Sequence, residues 1–311
     1  MMKSVLRIGT RGSQLALWQA RWVQSALTAM EPGLTVELVI IKTKGDKILD
    51  VPLAKVGGKG LFVKEIEEAL LGNRIDLAVH SMKDMPADIP AGLAIGAVPQ
   101  RADARDAFVS LAYAGIDALP QGARVGTSSL RRAAQLRHLR PDLHIQALRG
   151  NLDTRLKKLE STDLDAVILA AAGLQRLGLA DRITAELSPE VMLPAVGQGA
   201  LCIESRRQDD LVAGRLAALD HAETRTSITA ERAFLHRLEG GCQVPIAAHA
   251  LCTAHEVKMT GLVAELDGSR IIRSSVGGSP QQAQSLGLQL AETLLSQGAG
   301  DILSRLQHHD D

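Results

Sequence analysis

Short apolar runs alternate with segments of helical period over the first two thirds of the chain. The helical segments repeat their apolar residues every three to four positions, whereas the runs between them are rich in β-branched residues. This alternation predicts an α/β fold, in which strands lie beneath covering helices. The predicted elements begin with strand 5–10, helix 13–30, strand 34–41, helix 63–71 and strand 75–80.

The pattern is then interrupted and starts again. Near residues 99–105 the chain becomes polar, which predicts a hinge. The elements predicted after it are strand 124–127, helix 129–139, strand 143–147, helix 152–160 and strand 166–170. The last third predicts strand 200–205, helices to about Leu238, strands within 242–276 with a turn at Asp267-Gly268, and helix 281–295 ended by Gly298.

The second half resembles the first in two places. Residues 8–13 parallel residues 125–131, and residues 75–79 parallel residues 164–168. In both halves a strand ends in Gly-Thr, and a helix then begins with hydroxyl residues and an arginine. Helix N-termini offer free N–H groups that suit an anion, although an ordinary helix cap uses the same residues. These matches indicate two similar lobes facing a cleft, or they arise by chance.

The composition limits the possible partners. A chain of 311 residues is long enough for two or three domains, and 46% hydrophobic with 23% charged residues indicates a soluble globular protein. Lys plus Arg and Asp plus Glu number 35 each, so no net charge attracts nucleic acid or an anionic membrane. Aromatic residues make up 2%, too few for base stacking. An anion site must therefore come from locally clustered arginines.

Targeting and redox signals are weak. Residues 1–8 contain no sustained apolar segment, and the longest apolar run, 166–174, is about half of the length that spans a bilayer. Cys202, Cys242 and Cys252 form no CxxC pair, which indicates reduced thiols and a cytoplasmic location. We expect no membrane association and no metal requirement.

Arginine is the most prominent local signal. A guanidinium group presents a planar fork of donors that matches a carboxylate or phosphate. Arg149 follows a predicted strand, at the carboxyl end where open α/β sheets bind ligands. Together, Arg11, Arg131, Arg132, Arg149 and Arg155 predict a cleft for a polyanion, with a solvated helical face as the alternative.

Residues 43–60 are rich in glycine and lysine. The Gly-Lys pair there is followed by Gly60 and not by Ser or Thr, so the spacing of an ATP-binding loop is missing. A mobile lid that carries Lys55 and Lys59 fits this composition better. Phe62 either lines the site or belongs to the core.

Two loops hold candidate reactive groups. The strand that ends at His80 leads into Asp84, which is either an acid–base or charge-stabilising group, or a turn cap before Pro86. His80 itself is typical of a satisfied core histidine. Cys242 follows two glycines and precedes Pro245, a loop in which something can approach the backbone closely. A buried, unreactive thiol is the alternative.

Seven segments, taken in order, resemble one known family. They are Ile8-Gly9-Thr10-Arg11 continuing to residue 20, residues 52–62 with Gly57-Gly58-Lys59-Gly60, His80-Ser81-Met82-Lys83-Asp84-Met85-Pro86, Gly126-Thr127-Ser128-Ser129-Leu130-Arg131-Arg132, Leu148-Arg149-Gly150-Asn151 with Thr154-Arg155, Pro194-Ala195-Val196-Gly197-Gln198-Gly199, and Glu239-Gly240-Gly241-Cys242-Gln243-Val244-Pro245. Along nearly the whole chain these segments resemble the porphobilinogen deaminases, also called hydroxymethylbilane synthases.

The resemblance implies a transferase of tetrapyrrole, porphyrin and heme biosynthesis. Such an enzyme deaminates four porphobilinogen molecules and condenses them head-to-tail onto a covalently bound dipyrromethane primer. It then releases hydroxymethylbilane by hydrolysis. The resemblance also implies a cytoplasmic monomer with no nucleic-acid partner.

The implied fold is two α/β lobes like those of periplasmic binding proteins, around a cleft, with a small C-terminal α+β domain. The first lobe would comprise residues 1–99 and 200–217, and the second residues 100–199. Residues 218–311 would form the C-terminal domain, which carries the cofactor cysteine.

The family's site residues carry over position by position. The dipyrromethane would be attached through a thioether to Cys242, with Asp84 under the pyrrole N–H groups, where it stabilises positive charge. The primer's carboxylates would be held by Lys83, Thr127, Ser129, Arg131, Arg132 and Arg155. The incoming substrate would be held by Arg11, Ser13, Arg149 and again Arg155, and the lid would include Lys55, Lys59 and Phe62.

A non-catalytic polycarboxylate-binding protein on the same two-lobe scaffold is the main alternative. It would need neither Cys242 nor Asp84. Cys202 departs from the family pattern, because a small residue without a thiol is expected there, and its reactivity stays open.

Overall fold

The fold was examined in a computed structural model, which describes residues 5–47, 60–239 and 244–307. The strands are β1 (Val5–Thr10), β2 (Thr35–Ile40), β3 (Leu77–Ser81), β4 (Leu93–Ala97), β5 (Asp106–Val109), β6 (Arg124–Gly126), β7 (His144–Gln146), β8 (Ala166–Ala170), β9 (Ala185–Leu187), β10 (Leu201–Arg206), β11 (Ile246–Cys252), β12 (Val257–Ala264) and β13 (Ile271–Gly278). The helices are α1 (Gln14–Met30), α2 (Lys44–Lys47), α3 (Lys64–Leu71), α4 (Leu130–Leu139), α5 (Leu152–Ser161), α6 (Ala171–Arg176), α7 (Asp210–Leu216), α8 (Ala222–Arg237), α9 (Ala283–Leu294) and α10 (Gly300–Gln307).

Two sheets of the same topology form the two lobes. The strand order is β2-β1-β3-β10-β4 in the first sheet and β7-β6-β8-β5-β9 in the second. In each sheet three parallel strands are followed by an antiparallel one, β10 or β5. The paired sequence matches lie on equivalent strands, β1 with β6 and β3 with β8. With the third sheet described below, this confirms the predicted fold class.

The chain changes sheets twice. It leaves the first sheet after Ala97 and enters the second at Asp106, and it returns between Leu187 and Leu201. The predicted hinge, residues 99–105, lies in the first of these connections. The exact domain limits stay a prediction.

Glycine allows the two connections to pass close to each other. Gly199 has φ of +85°, and a Cβ built on it would lie 2.6 Å from the carbonyl oxygen of Ala102. The Ala102 N–H donates to the Gly199 carbonyl over 3.2 Å. Any side chain at position 199 would therefore separate the two connections.

The third domain packs helices α8 and α9 on the antiparallel sheet β11-β12-β13. Phe234 and Leu290 from the two helices are buried in this core. The predicted turn at Asp267-Gly268 joins β12 to β13, with Gly268 at φ of +75°. Gly298, at φ of +97°, separates α9 from α10, so the predicted end of the helix before this glycine is confirmed, and a further short helix follows it.

A buried carboxylate joins this domain to the hinge. Glu231 of α8 is fully buried and accepts hydrogen bonds from the guanidinium of Arg101. It also accepts from the backbone N–H groups of Gly197, at 2.7 Å, and Ala250, at 2.8 Å. One side chain thus links both connections between the lobes to strand β11.

Candidate active site

Asp84 lies in a 3₁₀ turn, Met82–Asp84, that directly follows β3. Met82 is 1% exposed, so the turn is anchored in the core by its first residue. Gly197, at φ of +72°, packs against it, and a Cβ there would lie 2.5 Å from Met82 Cγ. Lys83 and Asp84 are therefore held at the carboxyl end of a buried strand, where ligands of open α/β sheets bind.

A pocket in the first lobe brings several predicted residues together. Arg11, Ser13, Phe62 and Asp84 line it, with Gln19, His80 and Ser81 among their neighbours. Gln19 is buried and was missed by the sequence analysis, because nothing in its helix distinguishes it. Its Nε2 donates to Ser81 Oγ over 2.9 Å.

Arg11 is fixed from two sides. Its Nε donates to Asp46 Oδ1 over 3.0 Å, and its guanidinium carbon lies 4.2 Å from the centre of the Phe62 ring. Burial alone would raise the pKa of Asp46, but hydrogen bonds from Arg11 and Thr43 lower it overall. Asp46 lies on α2, a short helix where the sequence predicted a loop. Phe62 thus contacts a predicted site residue.

The hydroxyl residues at the two helix starts act as caps. Ser13 Oγ accepts from the N–H of Ala16 over 3.3 Å, and Ser129 Oγ accepts from the N–H of Arg132 over 3.5 Å. Thr127 Oγ1 accepts from the N–H of Ser129 over 3.2 Å. The capping that the sequence left as the ordinary alternative is therefore present at both helices.

Arg131 and Arg132 meet a carboxylate that the sequence analysis did not select. Both are buried, and Asp106 lies between them with no exposed surface. Arg131 Nη1 lies 2.7 Å from Asp106 Oδ2, and Arg132 Nη2 lies 2.6 Å from Oδ1. Gln198 adds a bond of 3.0 Å from its Nε2 to Oδ1. Burial alone would raise the pKa of Asp106, but the two arginines hold it well below its usual range.

Lys83 lies in the same electrostatic environment. Burial first, and then the charges of Arg132 and Arg131, lower the pKa of Lys83 to about 8, while Asp84 and Asp106 oppose this shift. The ammonium group is therefore placed where added negative charge would stabilise it.

Arg155 approaches Asp84 from α5. Its Nε donates to the Gly150 carbonyl over 2.8 Å. Burial, followed by the charges of Arg132 and Arg149, lowers the pKa of Arg155 to about 10, whereas Asp84 raises it. Asp84 thus interacts with cations of both lobes, Lys83 in the first and Arg155 in the second.

The donor set fits a ligand that carries several carboxylates. In the described part of the chain, Lys83, Arg131, Arg132 and Arg155 outnumber Asp84 and Asp106 in this cluster. Arg131 Nε is buried with no hydrogen-bond partner among the same residues. Buried cations in excess require anions, and guanidinium groups bind carboxylates well.

Arg176 is a further, partly buried cation that the sequence analysis missed. It ends α6, a helix that was not predicted, and its Nη2 donates to the Gly199 carbonyl over 2.7 Å. Its guanidinium carbon lies 5.9 Å from the ring centre of Trp18 on α1. Burial lowers the pKa of Arg176 to about 10. The side chain bridges the second lobe and the first.

Three of the predicted site residues lie outside the described residues. They are Lys55, Lys59 and Cys242. Among the residues that the structure does describe, no group of three or more His, Cys, Asp or Glu side chains is arranged to hold a metal ion. In that same part, no helix combines the length and apolarity needed to cross a membrane.

Asp106→Asn is expected to destabilise the protein strongly. The substitution keeps the shape but leaves two buried guanidinium groups without an anion, which costs about 3–5 kcal/mol when a buried pair is broken. Urea unfolding followed by circular dichroism measures the loss. Asp163→Asn is the control, because Asp163 is 85% exposed in its pair with Arg124 and should unfold like the wild type. Equal midpoints for both variants would contradict the role given to Asp106.

Two family models match the chain in succession. One, described as porphobilinogen deaminase, dipyromethane cofactor binding domain, matches residues 6–214. The other, described as porphobilinogen deaminase, C-terminal domain, matches residues 225–296. The chain belongs to the porphobilinogen deaminase family. The predicted function is thereby confirmed: a transferase of tetrapyrrole biosynthesis with hydroxymethylbilane synthase activity and a dipyrromethane cofactor.

Known proteins resemble the chain to different degrees. A porphobilinogen deaminase of Syntrophotalea carbinolica is 59% identical over 306 residues, covering 98% of this chain and 97% of that protein. Among solved structures, the periplasmic aliphatic sulphonate binding protein of Escherichia coli is 14% identical, with a TM-score of 0.41, covering 95% of this chain and 88% of that one. Protein PG110 of Staphylococcus aureus is 12% identical, with a TM-score of 0.42, covering 92% and 100%.

Proposed function

We propose that this porphobilinogen deaminase carries its dipyrromethane on Cys242 and uses Asp84 as its catalytic carboxylate. The position of Asp84 supports this assignment most directly. Asp84 lines the pocket of Arg11 and Ser13, and it interacts electrostatically with Lys83 and Arg155. Asp84 is therefore near both the pocket that Arg11 lines and the cationic side chains of Lys83 and Arg155.

The cofactor's carboxylates are assigned to the cations of the cleft, two of them buried and two partly buried. Lys83, Arg131, Arg132 and Arg155 would hold them, with Thr127 and Ser129 at the start of α4. When bound, the dipyrromethane supplies the free pyrrole carbon at which condensation begins. The unpartnered Nε of Arg131 and the lowered pKa of Lys83 both support a ligand of negative charge.

The incoming porphobilinogen is assigned to Arg11, Ser13, Arg149 and Arg155. Its acetate and propionate groups require cationic donors, and each charge-assisted hydrogen bond contributes about 1.5–3 kcal/mol. Arg11 is already oriented by Asp46 and Phe62, so little freedom is lost when it binds a carboxylate.

Asp84 would increase the rate of the chemical steps. Loss of ammonia and formation of the carbon–carbon bond both place positive charge on a pyrrole nitrogen. A fixed carboxylate within hydrogen-bonding distance of that nitrogen stabilises the transition state more than the neutral ground state. The neighbouring Lys83 and Arg155 help to orient it.

The remaining assignments concern the lid, the domain limits, the location and the oligomeric state. Lys55 and Lys59 would belong to a lid over the site, and the domain limits would be residues 1–99 with 200–217, 100–199, and 218–311. We infer a cytoplasmic monomer that acts on porphobilinogen without a nucleic-acid partner.

Arg149→Gln tests the substrate assignment. The variant should load the dipyrromethane normally, because Arg149 is placed near the incoming ring, but its KM for porphobilinogen should rise about tenfold or more, the loss of one charge-assisted bond. Intact mass and steady-state kinetics measure the two effects. The exposed Lys157 on α5 provides the control, since Lys157→Gln should change neither. An unchanged KM in Arg149→Gln would remove this arginine from the substrate site.

A further inference from the structure

Three buried titratable side chains lie behind the proposed reaction pocket and have no role in the reaction described so far. They are Glu67 on α3, His80 on β3 and Glu204 on β10, which are 7%, 5% and 0% exposed. His80 Nε2 lies 3.1 Å from Glu204 Oε2. We refer to these three residues as the buried triad.

Two carboxylate oxygens of the buried triad lack a hydrogen-bond partner in the described part of the chain. Glu67 Oε1 and Glu204 Oε1 are buried, and neither has a hydrogen-bond partner among the described residues. Burial first, and then the charge of Glu204, raise the pKa of Glu67 to about 7, although His80 opposes the shift. Glu67 therefore gains or loses its proton close to neutral pH, within electrostatic reach of the hydrogen-bonded pair of His80 and Glu204.

Among the described residues, the charged side chains near the buried triad do not hydrogen-bond to these two carboxylate oxygens. Glu68, on the exposed side of α3, raises the pKa of Glu67 further. Cys202 lies beside His80 on β10, and Arg232 of α8 acts on both Cys202 and Glu204. Arg225 of α8 acts on Cys202, but it is paired with Asp220. On the side of the pocket, Arg11 and Asp84 line the same pocket as His80.

His80 connects the buried triad to the pocket. It lines the same pocket as Arg11, Ser13 and Asp84. While Nε2 is held by Glu204, the other ring nitrogen, Nδ1, has no hydrogen-bond partner among the residues that the structure describes. A carboxylate that holds one imidazole nitrogen and leaves the other available is the arrangement of a general base and its positioning residue.

We propose that Glu67, His80 and Glu204 form a proton-exchange unit of the reaction centre, in which His80 accepts the proton released in each condensation. Glu204 positions the imidazole, and Glu67 shares the stored proton with it. This inference rests on the reaction pocket proposed above.

Each condensation releases a proton from the acceptor pyrrole carbon, and a base must accept it. The substrate's aminomethyl group enters protonated, as at neutral pH, and when its carbon–nitrogen bond breaks the electron pair leaves on nitrogen as ammonia. A carbon–carbon bond forms at the acceptor pyrrole carbon, which then loses its proton while the C–H electron pair restores the aromatic ring. His80 takes that proton, the buried triad stores it, and it returns to water, where ammonia binds it as ammonium.

Glu67→Gln tests the inference, because the amide has the shape of the protonated acid and cannot ionise. In the wild type we expect kcat to rise with pH through about 7, as the buried triad becomes able to accept a proton. In the variant the carboxyl that titrates near 7 is absent, so the rise of kcat through about pH 7 should be lost, with primer content by intact mass unchanged. Glu160→Gln, at an exposed position of α5 in the second lobe, should keep the wild-type profile.

A second measurement does not depend on turnover. A carboxyl whose pKa is raised on folding, from 4.5 to about 7, loses stability as pH rises between these values. The melting temperature of Glu67→Gln minus that of the wild type should therefore increase from pH 5 to pH 7 and stay constant above pH 7. His80→Gln should reduce kcat by about 10²-fold per primer-loaded molecule, the scale of a general base.

The outcomes separate this inference from the assignment of the pocket. A wild-type kcat profile in Glu67→Gln overturns the inference, even where the melting temperatures differ as expected, because the buried triad would then titrate without taking part in the reaction. If Asp84→Asn loses activity in the same series, the pocket assignment survives that result.

Discussion

Cys242→Ala is expected to be isolated at the mass of its amino-acid sequence and to have no measurable turnover. Without the thiolate there is no nucleophile to form the thioether, so the dipyrromethane is not attached and condensation has no starting point. Cys242→Ser should fail in the same way, because a hydroxyl is a much weaker nucleophile. Intact-mass measurement of the purified enzyme, with a product assay on the same sample, tests both variants.

The other two cysteines provide matched controls. Cys202 is buried on β10, and burial followed by the charge of Glu204 raises the pKa of its thiol well above the usual range. Burial also raises the pKa of the Cys252 thiol. Because the thiolate is the reactive form, Cys202→Ala and Cys252→Ala should keep both the added mass and the activity. Finding the adduct on Cys202 would refute the assignment to Cys242.

Asp84→Asn is expected to lose about 10²-fold or more in turnover per primer-loaded molecule, the scale of one electrostatic catalytic group. The amide keeps the shape of the side chain but not its charge, so the charge that develops on the pyrrole nitrogen loses its stabilisation. Met82 anchors the turn independently, and the melting temperature should therefore stay close to that of the wild type. Turnover is measured against primer content, which is determined by mass spectrometry.

Two further results bear on this assignment. Asp84→Glu keeps the charge but displaces it by one methylene group, so partial activity should survive. If Asp84 were only a turn cap, Asp84→Asn would instead melt a few degrees lower and turn over at the normal rate.

The fold was predictable where an element is long and its pattern is local. Strands 5–10 and 166–170 were placed at their observed limits, since each is a short, mostly apolar segment that begins directly after a polar residue. Strands β5 and β9, of four and three residues, show no visible period and were missed, whereas the equally short β6 and β7 were predicted because each precedes a predicted helix in the repeated pattern. The end of the helix before Gly298 was predicted, whereas the short helix α10 that follows this glycine was missed.

The site was predictable from motifs, but its charge balance was not. Arg131 and Arg132 stand out in the sequence, whereas the partner that neutralises them, Asp106, lies 25 positions before Arg131 at the start of an unpredicted strand. His80 was expected to be a satisfied core residue, and its bond to Glu204 spans 124 positions. Contacts over such distances depend on strand order, which local pattern does not encode.

The position of β10 has a consequence for the order of events during protein synthesis. The second sheet consists of a single continuous stretch, from Asp106 to Leu187, and every strand it needs leaves the ribosome together. The first sheet needs residues 201–206 between β3 and β4, so these strands keep unpaired edges until the whole second lobe has been translated. The lobe that is made first is therefore the later of the two to close, and its exposed strand edges are the part of the nascent chain that most needs protection from aggregation.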